Sequence, residues 1–221
     1  MSNPAALTPL QSSQLKDTAY DEIRQAITDL RLPPGAPISE NWLVSQLGIS
    51  KTPIRHALTR LEQEGLVETI PFKGTFAAET RDSDARDLME VRAVLEIAAA
   101  RRVAEHATLE SIEGLRALAT QGATSEAAGD HQGALRRIGD FHTGLIDLAD
   151  NPWLSRSYAA LGGPLARMRS ISGSLTNSVE DSTDEHLAIV DALAERDRDR
   201  AAELLTNHLD RVLALALADG S

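Results

Sequence analysis

The sequence predicts a mainly α-helical chain in two parts: three helices with a two-stranded β-hairpin, then an antiparallel bundle of about six helices. Three observations predict it. Ala and Leu dominate while aromatic residues make up only 3% of the 221 residues, a composition suited to packing helix on helix. Apolar residues recur at helical spacing through most of the chain. The β-prone residues instead gather in one short stretch, Leu66-Val67-Glu68-Thr69-Ile70 and Thr75-Phe76-Ala77, around the turn residues Pro71-Phe72-Lys73-Gly74.

Charge divides the chain as well. The net charge is -11, but residues 1–78 hold seven Lys/Arg against eight Asp/Glu, whereas 79–221 hold fifteen against twenty-five. We therefore expect a flexible arm at 1–14, a first domain at 15–78, a linker at 79–83 and an all-helical domain at 84–221. The acidity belongs to the second domain, which leaves the nearly neutral first one able to present a basic face to phosphate. Cysteine is absent, which excludes disulfides, thiolate nucleophiles and sulfur-rich metal sites and fits a reducing cytoplasm. The longest apolar stretch, around Val212 to Ala218, is far shorter than the roughly 20 residues that span a bilayer, so no membrane partner is expected.

In the first domain, Leu15, Ala19, Ile23, Ala26, Ile27 and Leu30 form one helical stripe, which Leu32-Pro33-Pro34-Gly35 ends. Ser39 can cap a short second helix carrying Leu43, Val44 and Leu47, and Gly48 supplies the turn after it. Ser50 can cap a third helix from 51 to about 64, with Pro53 in the first turn, where a missing N–H costs little. Two helices so closely joined are a helix-turn-helix, and the hairpin behind them, with Lys73 at its tip, is a wing. The third helix carries Lys51, Thr52, Arg55, His56, Thr59 and Arg60 with no acid among its first ten residues, while Ile54, Ala57, Leu58 and Leu61 form its apolar side. A helix entering the major groove needs donors near its N-terminus and no like-charge repulsion with phosphate.

The run from Pro34-Gly35 through Ser39-Glu40-Asn41-Trp42-Leu43 and Ser50-Lys51-Thr52-Pro53-Ile54-Arg55 to Glu64-Gly65-Leu66-Val67 closely resembles the winged helix-turn-helix of the GntR family. The resemblance implies that Lys51, Thr52 and Arg55 contact operator DNA and that Lys73 and Gly74 in the wing reach the minor groove. It also implies a DNA-facing role for Asn41, which stands where the family often has Arg, and Lys51 stands where Arg is commoner. Lys lacks the bidentate fork that Arg offers guanine, so operator preference is expected to depart from the family's usual one.

The second domain reads as helices at about 84–105, 108–128, 131–149, 152–171, 179–195 and 199–218, with breaks at Ala107-Thr108, Gly129-Asp130, Asn151-Pro152, Ser172-Gly173-Ser174 and Asp197-Arg198-Asp199. His142, His186 and His208 each lie on an apolar stripe. The last two stand eleven residues either side of Asp197, and in a helix hairpin such mirrored positions reach the same height. Three imidazole nitrogens could then converge on one divalent cation, although each histidine could equally be a hydrogen-bonded core residue. Arg92 shares the face of Leu88, Leu95 and Ala99 and needs an anion, which a bound carboxylate or Glu96 one turn on could supply. His56, His106 and His131 read as surface residues.

Glu90-Val91-Arg92-Ala93-Val94-Leu95-Glu96, Phe141-His142, Asn151-Pro152 and Glu185-His186-Leu187-Ala188-Ile189-Val190-Asp191-Ala192-Leu193, followed by His208, resemble the FCD effector domain of FadR-type GntR regulators. That resemblance implies a divalent metal (Zn, Ni or Mn) on the histidines and an organic acid held jointly by the metal and Arg92. One ligand departs: Ile138 stands where the family has Asp, and Asp140 falls on another side of the helix. The expected function is a cytoplasmic, DNA-binding homodimer whose operator affinity a small carboxylate controls, and not an enzyme. Two other readings stay open: a helical half that only dimerises and senses nothing, and a metal-dependent hydrolase using the histidines and water. For the hydrolase, Asp140 and Glu185 are expected to lie off the histidine faces, leaving no general base.

Overall fold

The computed structural model describes residues 12–79, 81–172 and 178–218. The chain forms two compact units, the second starting at Glu79 and also counting Thr28–Leu30. Of the arm expected at 1–14, residues 1–11 lie outside the described residues.

The first unit comprises α1 (Ser12–Thr28), β1 (Pro37–Ile38), α2 (Glu40–Leu47), α3 (Lys51–Gln63), β2 (Val67–Ile70) and β3 (Gly74–Ala77). Ala19, Ile23 and Ile27 on α1, four residues apart, bury the stripe the sequence predicts against Leu43, Ile54, Leu61 and Leu66. The tight turn between α2 and α3 needs Gly48, whose φ is 66°. Ser39 caps α2 by accepting from the Trp42 amide, whereas Ser50 occupies the N-cap position of α3 without a capping bond from its side chain. The hairpin also differs from expectation, because β1 pairs with β3 and makes a three-stranded antiparallel sheet in the order β1-β3-β2. A two-residue strand is too short to show alternation, and Pro37, which has no N–H, marks it as an edge.

The second unit contains α4 (Asp82–His106), α5 (Leu109–Ala127), α6 (His131–Leu148), α7 (Pro152–Ala159), α8 (Gly162–Ser172), α9 (Ser178–Ala194) and α10 (Arg198–Ala218), seven helices among the described residues. The extra one arises because the segment expected at 152–171 divides before Gly162-Gly163-Pro164, where two glycines and a proline make continuation unfavourable. The break expected at Ser172-Gly173-Ser174 falls, from Gly173 on, outside the described residues. Thr108, Asp130 and Asn151 cap α5, α6 and α7 through their side chains. Phe141, Leu145 and Ile146 of α6 lie in the middle of the core with Val103, Ile112 and Ile189. Among the described residues, no helix is long and apolar enough to cross a membrane.

Candidate DNA-reading surface and candidate metal centre

In the first unit, α3 turns Ile54, Ala57, Leu58 and Leu61 into the core, and the 3.6-residue period then leaves Lys51, Thr52 and Arg55 exposed on its other side. Asn41 on α2 and Lys73 and Gly74 at the hairpin tip are exposed as well. The sequence reading missed how Arg55 is held: its Nε lies 2.9 and 3.0 Å from the two Glu40 carboxylate oxygens. That pairing keeps the Glu40 carboxyl below its usual range and leaves both terminal guanidinium nitrogens of Arg55 for other acceptors. Its only sequence signal was an acid directly after the α2 cap. Behind α3, the Tyr20 hydroxyl sits 2.8 and 2.9 Å from the Glu64 carboxylate, and the Arg60 guanidinium lies over the Tyr20 ring.

In the second unit, α6, α9 and α10 deliver His142, His186 and His208 to one buried point. The Nε2 atoms stand 3.1 Å apart for His142 and His186 and 3.3 Å apart for the other two pairs. The outer nitrogens are fixed by carboxylates: His142 Nδ1 lies 2.8 Å from Glu96 Oε2, and His208 Nδ1 2.6 Å from Glu185 Oε2. A carboxylate only accepts, so both Nδ1 atoms carry the proton and both Nε2 atoms present lone pairs inward. The His186 ring stacks on Phe141 at 4.0 Å, and its Nδ1 is buried with no hydrogen-bond partner.

The carboxylates are themselves held. Glu96 receives Arg92 Nε at 2.6 Å and the Tyr158 hydroxyl at 2.7 Å, and Glu185 receives Arg211 at 2.6 and 2.7 Å. Burial opposes the Glu96 charge, yet Arg92 and His142 hold its carboxyl well below the usual range. Burial also pushes the His142 imidazole down to about 3 and the His186 imidazole well below its ordinary value. Burial lowers the His208 imidazole as well, so all three are held toward the neutral state, which is the one that ligates a metal.

The residues fit a cation. At a metal–nitrogen bond of about 2.1 Å, two ligands subtending about 100° stand about 3.2 Å apart, as these Nε2 atoms do. Without a cation the convergence is unfavourable, because a single proton on His186 Nε2 can satisfy at most one of the two facing lone pairs.

Arg92, expected to meet a ligand, is 1% exposed and forms the internal ion pair with Glu96, while its Nη2 remains buried without a partner. The adjoining cavity, of about 30 Å³ and partly open to solvent, is lined by Arg92, Arg169, Arg211, His142, His208 and Ser182 over an apolar floor that includes Ile138. Among the described residues, no carboxylate lines it. Gly139 admits Arg169, since a Cβ there would lie 2.5 Å from a guanidinium nitrogen. Asp140 is paired with Arg137 at the surface, away from the histidines. Glu185 corrects the expectation that it lies off the histidine faces, because its long side chain reaches His208 from the neighbouring helix. Tyr158, Arg169 and Arg211 were not singled out by sequence, since each acts across helices at no regular spacing. His56 and His106 are exposed, and His131 is half-exposed beside Glu126.

A winged helix-turn-helix with an exposed basic face in one unit, and three converging imidazoles beside an arginine-lined cavity in the other, have the plan of a two-part DNA-binding regulator. The models of two families match: "Bacterial regulatory proteins, gntR family" over residues 15–77 and "FCD domain" over residues 87–211. The "Probable D-xylose utilization operon transcriptional repressor" of Paenarthrobacter nicotinovorans is 32% identical over 90% of this chain and 85% of its own. The "Nta operon transcriptional regulator" of Aminobacter aminovorans is 33% identical over 80% of this chain and 83% of its own. Among solved structures, E. coli McbR/YncC has the same fold, with a TM-score of 0.81 at 18% identity over 94% of this chain and 99% of that one. The chain belongs to the GntR family of bacterial transcriptional regulators, in the branch that carries an FCD domain, and is a regulator of transcription rather than an enzyme.

Proposed function

We propose that this regulator binds a two-fold operator as a cytoplasmic homodimer and that a small organic acid, held beside a divalent metal in the FCD domain, controls its grip. In this reading Lys51, Thr52 and Arg55 meet base edges and phosphates in the major groove, Asn41 meets the backbone, and Lys73 and Gly74 reach the minor groove. One helix-turn-helix reads one half-site, so two copies read a near-palindrome.

The observation that carries the FCD half of the proposal is the approach of three Nε2 atoms to within 3.1–3.3 Å, two of them with carboxylate-fixed tautomers. Carboxylates behind metal-ligating imidazoles orient the rings and raise their basicity. His142, His186 and His208 would hold the ion, and three neutral nitrogens suit Zn or Ni better than Mn. With Ile138 in place of an acidic ligand, the bound ion keeps more of its charge and open positions for an anion's oxygen. Arg92 Nη2 and the lining guanidinium groups of Arg169 and Arg211 would orient and neutralise that anion. The operon named for D-xylose utilization in one relative supports an operon of metabolite use as the target.

Elemental analysis by mass spectrometry of protein purified without chelators tests the metal. About one ion per chain in the wild type, lost in His142→Ala, is the expected result. A metal-free wild type that takes up no Zn or Ni on titration would overturn it and leave the histidines as core residues. Light scattering tests the dimer, and a monomer at micromolar concentration would overturn that part.

A further inference from the structure

The hairpin tip carries a side chain that neither the core nor the sheet uses. Lys73 N–H donates to the Ile70 carbonyl at 3.0 Å, closing a turn with Pro71 and Phe72 at its two central positions. Phe72 has φ 65°. Proline followed by a positive φ is the pattern of a type II turn, whose third position calls for glycine or asparagine because a side chain there is strained. Phe72 bears that strain and is also completely exposed, at 110% of its reference area. An aromatic ring held out in water on a strained backbone gains nothing within the unit, so its compensation is sought outside it.

The surroundings identify the partner. Pro71 stiffens the turn, so ordering the ring on binding costs little entropy. Lys73 stands next to it, the residues from Ile70 to Gly74 include no acid, and the unit is a DNA-reading one. A rigid apolar side chain beside a cation is the equipment of proteins that push a wedge between base steps from the minor groove and kink the duplex.

We propose that Phe72 is such a wedge: its ring enters the minor groove at the wing, partly unstacks one base step and bends the operator. Sequence preference then extends to positions the protein does not hydrogen-bond, favouring flexible pyrimidine–purine steps under the wing. The inference rests on the proposed docking of the wing, and the experiment separates the two.

The full chain selects a duplex of roughly two helical turns from a random-sequence pool, and that duplex is resynthesised with 2-aminopurine at successive positions and with end-labels for a fluorescence measurement of bending. Phe72→Gly is expected to weaken binding about tenfold, the scale of one lost base–aromatic contact. It should abolish a 2-aminopurine increase under the wing and reduce the bend. Its melting temperature should not fall, because glycine relieves the turn, and its salt dependence of binding should stay the same, because no charge is removed. Phe72→Leu, which keeps an apolar wedge, should retain most of the bend. Unchanged bend and 2-aminopurine signal in Phe72→Gly overturn the wedge, whatever happens to affinity. If Lys73→Ala weakens binding while Phe72→Gly does not, the wing docks without a wedge; if neither weakens it, the docking falls as well.

Discussion

The two candidate sites are built on opposite plans. Lys51, Thr52 and Asn41 lie exposed on their helices, and Arg55, 64% exposed, is steadied by one carboxylate. The histidines, Arg92 and Glu96 are at most 1% exposed, and Glu96 alone joins Arg92, His142 and Tyr158. DNA brings its own charge and hydration to a surface, so a reading helix needs correct placement and side chains that can adjust. A small desolvated ligand offers no such help, so its site must be assembled beforehand, and each group left over inside it is costly. Substitutions in the first plan should therefore change binding while sparing the fold, and substitutions in the second should damage both.

The severest test of that contrast is Glu96→Ala. It leaves the Arg92 guanidinium buried without a counter-charge and removes the acceptor from His142 Nδ1 and Tyr158 Oη. Removing one partner of a buried pair costs about 3–5 kcal/mol, which for a chain of this size is a fall in melting temperature on the order of 10 °C. Replacing both partners, Arg92→Leu with Glu96→Leu, should cost less than the single change, because no buried charge is stranded. Calorimetry on the wild type, Arg92→Leu, Glu96→Leu and the double variant reads the coupling directly. A loss under about 1 kcal/mol for Glu96→Ala would mean that the network does not organise this core.

Next in size is Arg55→Ala, which should weaken binding to a selected operator duplex by about 1–3 kcal/mol, as loss of a base contact does. Melting should barely move, since the side chain is exposed and its ion pair with Glu40 is a surface one. A gel-shift titration alongside a melting curve checks both halves. Equal damage to fold and binding would erase the distinction between the two plans.

These plans also explain what could be read from the chain beforehand. An exposed reading helix declares itself locally: a cap, a glycine turn, a proline in the first turn and an acid-free basic stretch all fall within a few residues of one another. The convergence of His186 with His208 was legible because a short hairpin imposes mirror symmetry on sequence numbers, and His142 joined them through its apolar stripe. The shell behind them was not legible, since Tyr158 and Arg211 reach their carboxylates from 62 and 26 residues away. No helical period relates such positions. Strand β1 leaves no signal in the sequence because two residues carry no periodicity, whereas the division of α7 from α8 is legible in Gly162-Gly163-Pro164 even though the apolar period alone runs on as one long helix.

A smaller effect sharpens the contrast inside the DNA-reading unit itself. Glu40 uses the Nε side of Arg55 and so holds the guanidinium fork in place before DNA arrives, but it also puts a negative charge near phosphate. Glu40→Gln should weaken specific binding by about 0.5–1 kcal/mol, the scale of an exposed ion pair, and should strengthen binding to random-sequence duplex by relieving repulsion. The ratio of the two affinities at fixed salt is the measurement. A ratio that stays constant would mean that Arg55 is positioned by the DNA alone.

The smallest effect concerns the two serines that open α2 and α3. Sequence treats them alike, but Ser39 accepts from the Trp42 amide and Ser50 makes no capping bond with its side chain. Ser39→Ala should therefore cost about 0.5–1 kcal/mol of stability in the first unit, toward the lower end for an N-cap because the bond is exposed and long at 3.4 Å. Ser50→Ala should cost less than about half of that. Denaturant titration of the two variants side by side orders them. The reverse order would mean that Ser50 caps α3 in solution, and the N-terminus of the reading helix would then be more tightly fixed than an adjustable surface requires.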